Sequence, residues 1–161
     1  MRHETLRQGV IAGIIGAASV AIWFFAIDLA FGRPFYTPDA LGRSLFRVFG
    51  AIGGPSLPDV VGYTVFHCAA FVVAGLIVSA IINLAEDEPT VLAGGLILFV
   101  MFEVGFHGVL SMFPSFPVLG VAAWYNVAIG NLIAAISMGY YMWRTHPALK
   151  EELRYALESR E

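Results

Sequence analysis

The sequence predicts an all-α integral membrane protein, an antiparallel bundle of four transmembrane helices. Two observations predict this class. Of the 161 residues, 58% are apolar and only 13% are charged, with a mean hydropathy of +0.77, whereas soluble domains carry about a quarter charged residues. In addition, four long apolar stretches are each able to cross a hydrocarbon core of about 30 Å at a rise of about 1.5 Å per residue.

Together the four stretches form a single membrane domain over the whole chain, 1–161. They cover residues 8–31, 60–84, 91–112 and 119–143. Inside them the charged residues are Asp28 and Glu103. The first stretch is longer than the apolar region of a signal peptide, and residues 27–31 at its end make a poor cleavage region, so it is predicted to be retained as a helix.

Basic residues near the spans predict the orientation, because Lys and Arg collect on the cytoplasmic side. Six lie beside the chain termini and three in the first connection. The six are Arg2, Arg7, Arg144, Lys150, Arg154 and Arg160, and the three are Arg33, Arg43 and Arg47. Both termini are therefore predicted to be cytoplasmic. The segments Gly-Arg-Pro-Phe-Tyr-Thr-Pro (32–38) and Trp-Arg-Thr-His-Pro (143–147) resemble those of small bacterial membrane proteins, although no named family is indicated. The expected location is the inner (plasma) membrane.

Segments outside the spans predict two further helices. Thr37, Pro38 and Asp39 form a typical helix start, with a hydroxyl cap, a proline in the first turn and an acid near the positive end of the dipole. A short amphipathic helix is expected from there, over about 38–49, on the outer membrane surface. In the tail, leucines recur every fourth residue among charges, which predicts an amphipathic helix over about 146–160.

Small residues and net charge indicate the kind of partner. Gly13, Ala17 and Ala21 recur every fourth residue in the first span, a spacing that lets another helix approach closely. Such a face serves packing inside the bundle or contact between the subunits of a homo- or hetero-oligomer. The lipid bilayer is the expected partner of the remaining apolar surface. A net charge of −3 disfavours nucleic acid, which calls for a basic surface.

Six polar residues fall in the outer half of the predicted bundle, and the inner half has no comparable set. They are Asp28, His67, Glu103, His107, Asn126 and Asn131. An ionisable side chain at membrane depth costs about 3 kcal/mol or more unless it is paired or faces the bundle interior, so such residues are candidates for function. Glu103 and His107 are four residues apart and share one helix face.

The first interpretation of this set is a metal centre. His67, Glu103 and His107 supply two nitrogens and one oxygen, which suit non-haem iron, zinc or manganese. The residues expected around these ligands are Asp28, Asn126 and Asn131. Such a centre would fit a subunit of a larger redox assembly.

The second interpretation makes His67 and His107 the axial ligands of a haem b between the second and third spans. Glycines lie near both histidines and would leave room for the macrocycle. Glu103, on the same face as His107, would be an unusual neighbour for a porphyrin.

Two further interpretations need no cofactor. The polar set would fix helix register in a non-catalytic accessory or scaffold subunit, or Glu103 and His107 would titrate in a small transporter or proton-relay protein. The sequence contains no Walker loop, GxGxxG turn, GxSxG elbow, CxxC pair or HExxH helix. It therefore names no catalytic residue, and it leaves open whether the protein is an enzyme.

Overall fold

The computed structural model describes residues 2–48, 56–85, 88, 90–112 and 123–147, without the side chains of a few helical residues such as His107. Every element in this part of the chain is a helix, as predicted. The helices are α1 (Arg2–Ala30), α2 (Tyr36–Val48), α3 (Ser56–Ala85), α4 (Val91–Met112) and α5 (Ala123–Thr145). The predicted tail helix falls almost wholly outside the described residues.

Two of the helices are long and apolar enough to cross a membrane. They are His3–Ala30 of α1 and Leu57–Ala85 of α3, with hydropathies of 2.4 and 2.5. The core helix of a soluble protein can be equally apolar, but it is mostly buried. Here only 28% of the most apolar part of α1, and 11% of that of α3, is buried inside the protein. Large apolar side chains such as Ile22 and Val65 point outward, which suits a lipid environment.

The helices α1 and α3 together form the centre of the fold. The helix α1 packs along α3 and α5, and α3 also packs along α2 and contacts α4, whereas the backbones of α3 and α5 approach each other at only a few residues. A small buried cluster lies between these helices, formed by Ala12 of α1 and by Met138 and Met142 of α5, with Phe71 of α3 packed against it. The helix α4 makes only a small contact with α3. The position of α3 relative to α5 is therefore determined mainly through α1.

The contact between α1 and α3, called the glycine seam below, is close because glycines meet across it. A methyl group added at Gly75 of α3 would meet the Cα of Gly13 at 2.8 Å, and one added at Gly13 would meet the Cα of Val72 at 2.5 Å. Carbon atoms that are not bonded pack at about 3.5–4.0 Å. The two backbones can therefore approach this closely only where a side chain is absent.

The seam has a regular register along both helices. The facing pairs, from the N-terminal end of α1, are Thr5 with Ser79, Gly9 with Leu76, Gly13 with Val72, and Ala17 with His67. Residue numbers rise along α1 as they fall along α3, so the two helices run antiparallel. Of the small residues predicted to form a contact face, Gly13 and Ala17 lie in this seam and Ala21 is exposed. The face extends toward Gly9 instead, and it is used within the chain.

The helix α2 packs against the beginning of α3. The backbone of Asp59 lies directly against Gly42, and the ring of Phe46 lies against Gly62. Both glycines leave no room for a methyl group, so the two helices are in close contact at two successive turns.

The turn into α2 contains two residues in the left-handed region. Gly32 has a φ of 67° and Phe35 has a φ of 66°. Glycine adopts this conformation readily, while it is strained for a bulky residue. The ring of Phe35 packs against that of Phe25, with centroids 5.3 Å apart, and this contact favours the strained conformation.

Gly13→Ala is expected to destabilise the protein by about 1–3 kcal/mol, the range for overpacking a close contact. The added methyl group has no room against the α3 backbone. The matched control is Gly139→Ala in α5, where a methyl group meets nothing within 4 Å and where alanine favours the helix by about 1 kcal/mol. Thermal unfolding in a mild detergent, followed by circular dichroism, measures both variants. Equal stability of the two would contradict the glycine seam.

Candidate functional site

His67 lies in the glycine seam, where its ring reaches from α3 to the backbone of α1. Its Nε2 is 3.2 Å from the carbonyl oxygen of Ala17. The half-buried ring packs between Tyr63 and Phe71, one turn away on either side, with centroids 5.6 Å and 4.8 Å apart. Because a carbonyl oxygen only accepts, Nε2 carries the hydrogen and donates it. Nδ1 therefore has a lone pair, and it accepts no hydrogen bond from the described residues. It is the nitrogen that would bind a metal.

Asp28 lies far from His67. It is eleven residues beyond Ala17 on α1, which is roughly 16 Å along the helix axis. Its side chain is 4% exposed. Oδ2 accepts a hydrogen bond from the amide of Thr37, and Oδ1 accepts one from the Thr37 hydroxyl, both at 2.7 Å. The structure therefore brings Asp28 to the start of α2 and not to His67.

Asp28 completes the hydrogen bonding of the first turn of α2, whose amides have no acceptor within the helix. The Thr37 amide donates to Asp28, and Pro38 has no amide hydrogen. The other first-turn amides donate to backbone carbonyls, Tyr36 to Arg33 and Asp39 to Phe35. The prediction that the Thr37 hydroxyl caps this helix was wrong. The helix begins at Tyr36, and the hydroxyl donates to Asp28 because the carboxylate on α1 supplies the acceptor.

Glu103 joins α4 to α5. Its Oε1 accepts a hydrogen bond of 2.5 Å from Nδ2 of Asn131. Hydrogen bonds to a carboxylate are shorter and stronger than those between neutral groups. Of the six polar residues singled out in the sequence, these two are brought together by the structure. His107 lies one turn further along α4, and its side chain is outside the described residues.

Two polar contacts between helices were not predicted. The indole Nε1 of Trp23 on α1 donates to the backbone carbonyl of Asn126 on α5, at 3.0 Å. Ser79 of α3, which is completely buried, donates to the carbonyl of Thr5 at 2.9 Å. The sequence did hold a signal for Ser79. Together with His67 and Gly75 it occurs at multiples of four residues, which puts all three on one face of α3.

The predicted metal ligands are described only in part. Among the residues that the structure describes, no three His, Cys, Asp or Glu side chains lie close enough together to hold a metal ion. The set of His67, Glu103 and His107 includes one side chain outside those residues, so the metal or haem centre stays a prediction.

Comparisons with models of protein families, with curated proteins and with solved structures found no match.

Asp28→Ala is expected to loosen α2. The substitution leaves the buried Thr37 amide and hydroxyl without an acceptor, at a cost of about 1–3 kcal/mol for each group. Amide hydrogen exchange in α2 should therefore accelerate by about ten-fold or more, while the amides of the glycine seam stay protected. Mass spectrometry of the detergent-solubilised protein measures this exchange.

The control is Thr64→Val, which removes an exposed hydrogen bond to the Val60 carbonyl within α3. It should leave exchange in α2 unchanged. If Asp28→Ala behaved in the same way, Asp28 would not hold the start of α2.

Proposed function

We propose that this chain is a multi-pass membrane protein whose role is non-catalytic, as an accessory or scaffold subunit. The observation that supports this best is the use made of its polar residues. In the described part of the chain, Asp28, His67 and Glu103 each bond to a group on another helix. Their partners lie at three separate places and join three different pairs of helices. Such an arrangement suits a protein whose polar side chains fix helix positions.

In this proposal α1, α3, α4 and α5 all cross the bilayer. The helices α4 and α5 contain 22 and 23 residues, which at about 1.5 Å per residue exceed a hydrocarbon core of about 30 Å. Both also turn large apolar side chains outward. Met101 and Val104 of α4 and Ile136 of α5 are each more than half exposed. In a bilayer these side chains would contact lipid or the helices of a partner subunit.

A scaffold in lipid needs such polar contacts more than a soluble one does. Lipid tails are as apolar as the helices, so burying apolar surface does not drive two spans together. Close backbone packing and hydrogen bonds between helices then determine which faces meet, although each hydrogen bond contributes only about 0.6 kcal/mol on average. We place the protein in the inner (plasma) membrane of a bacterium, with both termini cytoplasmic, on the distribution of its basic residues and the bacterial resemblance of two segments.

The second candidate function is the metal or haem centre of a redox subunit. Two observations favour it. The α4 backbone is helical through Glu103 and His107, so the two residues share a face. The Nδ1 atom of His67 takes no hydrogen bond from the described residues. Glu103 and His107 would also serve a proton-relay protein. Both of these candidates need side chains that bind a metal or transfer a proton, whereas the scaffold needs them only for helix packing.

Labelling of single cysteines tests whether the helices lie in the bilayer. Cys68 is the only cysteine of the chain and is exposed on α3. If lipid covers it, a membrane-impermeant maleimide should label Cys68 in SDS but not in intact membrane vesicles. In a Cys68→Ser background, Met101→Cys on α4 and Ile136→Cys on α5 should be protected in the same way.

The positive control is Glu88→Cys, at an exposed residue between α3 and α4. It should be labelled, and only from the cytoplasmic side. Rapid labelling of Cys68 in vesicles would contradict the membrane assignment of α3. Rapid labelling of the cysteine on α4 or α5 would remove that helix from the set of spans.

Elemental analysis of the purified protein separates the scaffold from the metal centre. For the scaffold we expect the same background metal content in the unmodified protein, in His67→Ala and in the control His3→Ala, whose side chain is exposed at the start of α1. His67→Ala should lose about 1 kcal/mol of stability with its hydrogen bond to Ala17. Near-stoichiometric iron, zinc or manganese that disappears only in His67→Ala, or a haem absorption band, would support the redox candidate instead.

A further inference from the structure

A cavity of about 470 Å³ opens beside the first turn of α2, between the turn that follows α1 and the beginning of α3. This volume lies in the range of small-molecule sites. Part of its wall is apolar and consists of Pro34, Phe35, Leu57 and Val60. In the proposed topology the cavity lies at the outer interface of the membrane, where the end of α1 and the beginning of α3 meet the headgroups.

The same cavity carries one cationic and one anionic side chain. The exposed guanidinium of Arg33 lies over the ring of Tyr36, 4.2 Å from its centroid. No carboxylate of the described residues pairs with it. Asp39 also lines the cavity, and its side chain is 15% exposed. Its Oδ2 accepts a hydrogen bond from Arg43, whereas Oδ1 is buried and accepts none.

The unpartnered Oδ1 of Asp39 calls for a hydrogen-bond donor. A buried carboxylate oxygen without a donor is costly. Because the terminal torsion of an aspartate side chain is broad, a modest turn of Asp39 about χ2 would present Oδ1 to a donor in the cavity.

We propose that this cavity binds the headgroup of a phospholipid with a primary amine, as in phosphatidylethanolamine. The phosphate would bind the Arg33 guanidinium, and the ammonium would donate a hydrogen bond to Asp39. The lipid chain would run along Phe35, Leu57 and Val60 into the bilayer. A lipid can occupy the site only if the chain lies in the membrane as proposed above, and the labelling of Cys68 tests that condition separately.

Other headgroups match this cavity less well. The quaternary ammonium of phosphatidylcholine has no N–H group and cannot donate to a carboxylate. Phosphatidylglycerol has no cation, so its phosphate could bind Arg33 but its headgroup would offer no ammonium to Asp39. Soluble glycerophosphoethanolamine has the full headgroup but nothing to contact the apolar wall. The cavity is therefore expected to select the amine-bearing lipid among phospholipids.

Native mass spectrometry tests the selection. The full-length protein in detergent is mixed with equal amounts of phosphatidylethanolamine, phosphatidylcholine and phosphatidylglycerol of identical acyl chains. The unmodified protein should retain the ethanolamine lipid about ten-fold more than either of the others, the effect of one hydrogen bond to a charged group. Asp39→Asn keeps an acceptor oxygen but removes the negative charge, so it should reduce this preference. Arg33→Gln should weaken the binding of all three lipids.

Two further variants control for misfolding of the substituted proteins. Arg43→Gln removes the partner of Asp39 but keeps the carboxylate, so the preference for the ethanolamine lipid should persist. Arg144→Gln is the matched control for Arg33→Gln, because Arg144 also lies over a tyrosine ring, 5.6 Å from the centroid of Tyr140 at the far end of α5. It should bind lipid like the unmodified protein.

Equal retention of the three lipids by the unmodified protein would overturn the proposal. So would loss of the preference in Arg43→Gln, or displacement of the lipid by an equal concentration of glycerophosphoethanolamine. If Cys68 is shielded in vesicles while the three lipids are retained equally, the lipid site fails and the membrane assignment stands. If Cys68 is labelled in vesicles, the membrane assignment itself fails.

Discussion

The close approach of the α1 and α3 backbones is the constraint on which the rest of the structure depends. Glycines on both helices let the two backbones approach closely. Polar side chains of α3 then form hydrogen bonds with the α1 backbone. His67 and Ser79 can reach carbonyl oxygens of α1 only because the two backbones are so near. Each of these carbonyls already lies within a helix, so the added hydrogen bonds fix register without changing secondary structure. The register of the antiparallel pair is therefore fixed near one end, by Ser79, and near the middle, by His67.

The helices α4 and α5 pack on this pair less extensively than α1 and α3 pack on each other. The helix α5 packs on α1, where the indole of Trp23 reaches the backbone of Asn126. The helix α4 makes a small contact with α3, and the hydrogen bond between Glu103 and Asn131 connects it to α5. A glutamate at this position costs less when an amide donates to it than when it is left unpaired. The polar contacts are thus distributed along the bundle: two join α1 to α3, one joins α1 to α5 and one joins α4 to α5.

The end of the bundle where α1 meets α2 is organised around Asp28. This carboxylate supplies the acceptor that the first turn of α2 lacks, and it thereby holds that turn against the end of α1. The same turn positions Arg33, Phe35 and Tyr36 along the wall of the cavity. A residue that the sequence suggested for a metal site therefore has a structural role here. The proposed lipid site depends on that role.

The sequence by itself determined the helical class and the apolar character of α1 and α3, because apolarity over about 20 residues is a property of each segment alone. It also identified Glu103 and Asn131 as members of one polar set. Only the tertiary structure decided which groups meet. His67 and Ala17 are 50 residues apart in the chain, and helical periodicity says which residues share a face but not which face of another helix lies opposite. That pairing depends on where the glycines let two backbones approach, and this approach placed His67 against a carbonyl of α1 and Asp28 at the start of α2.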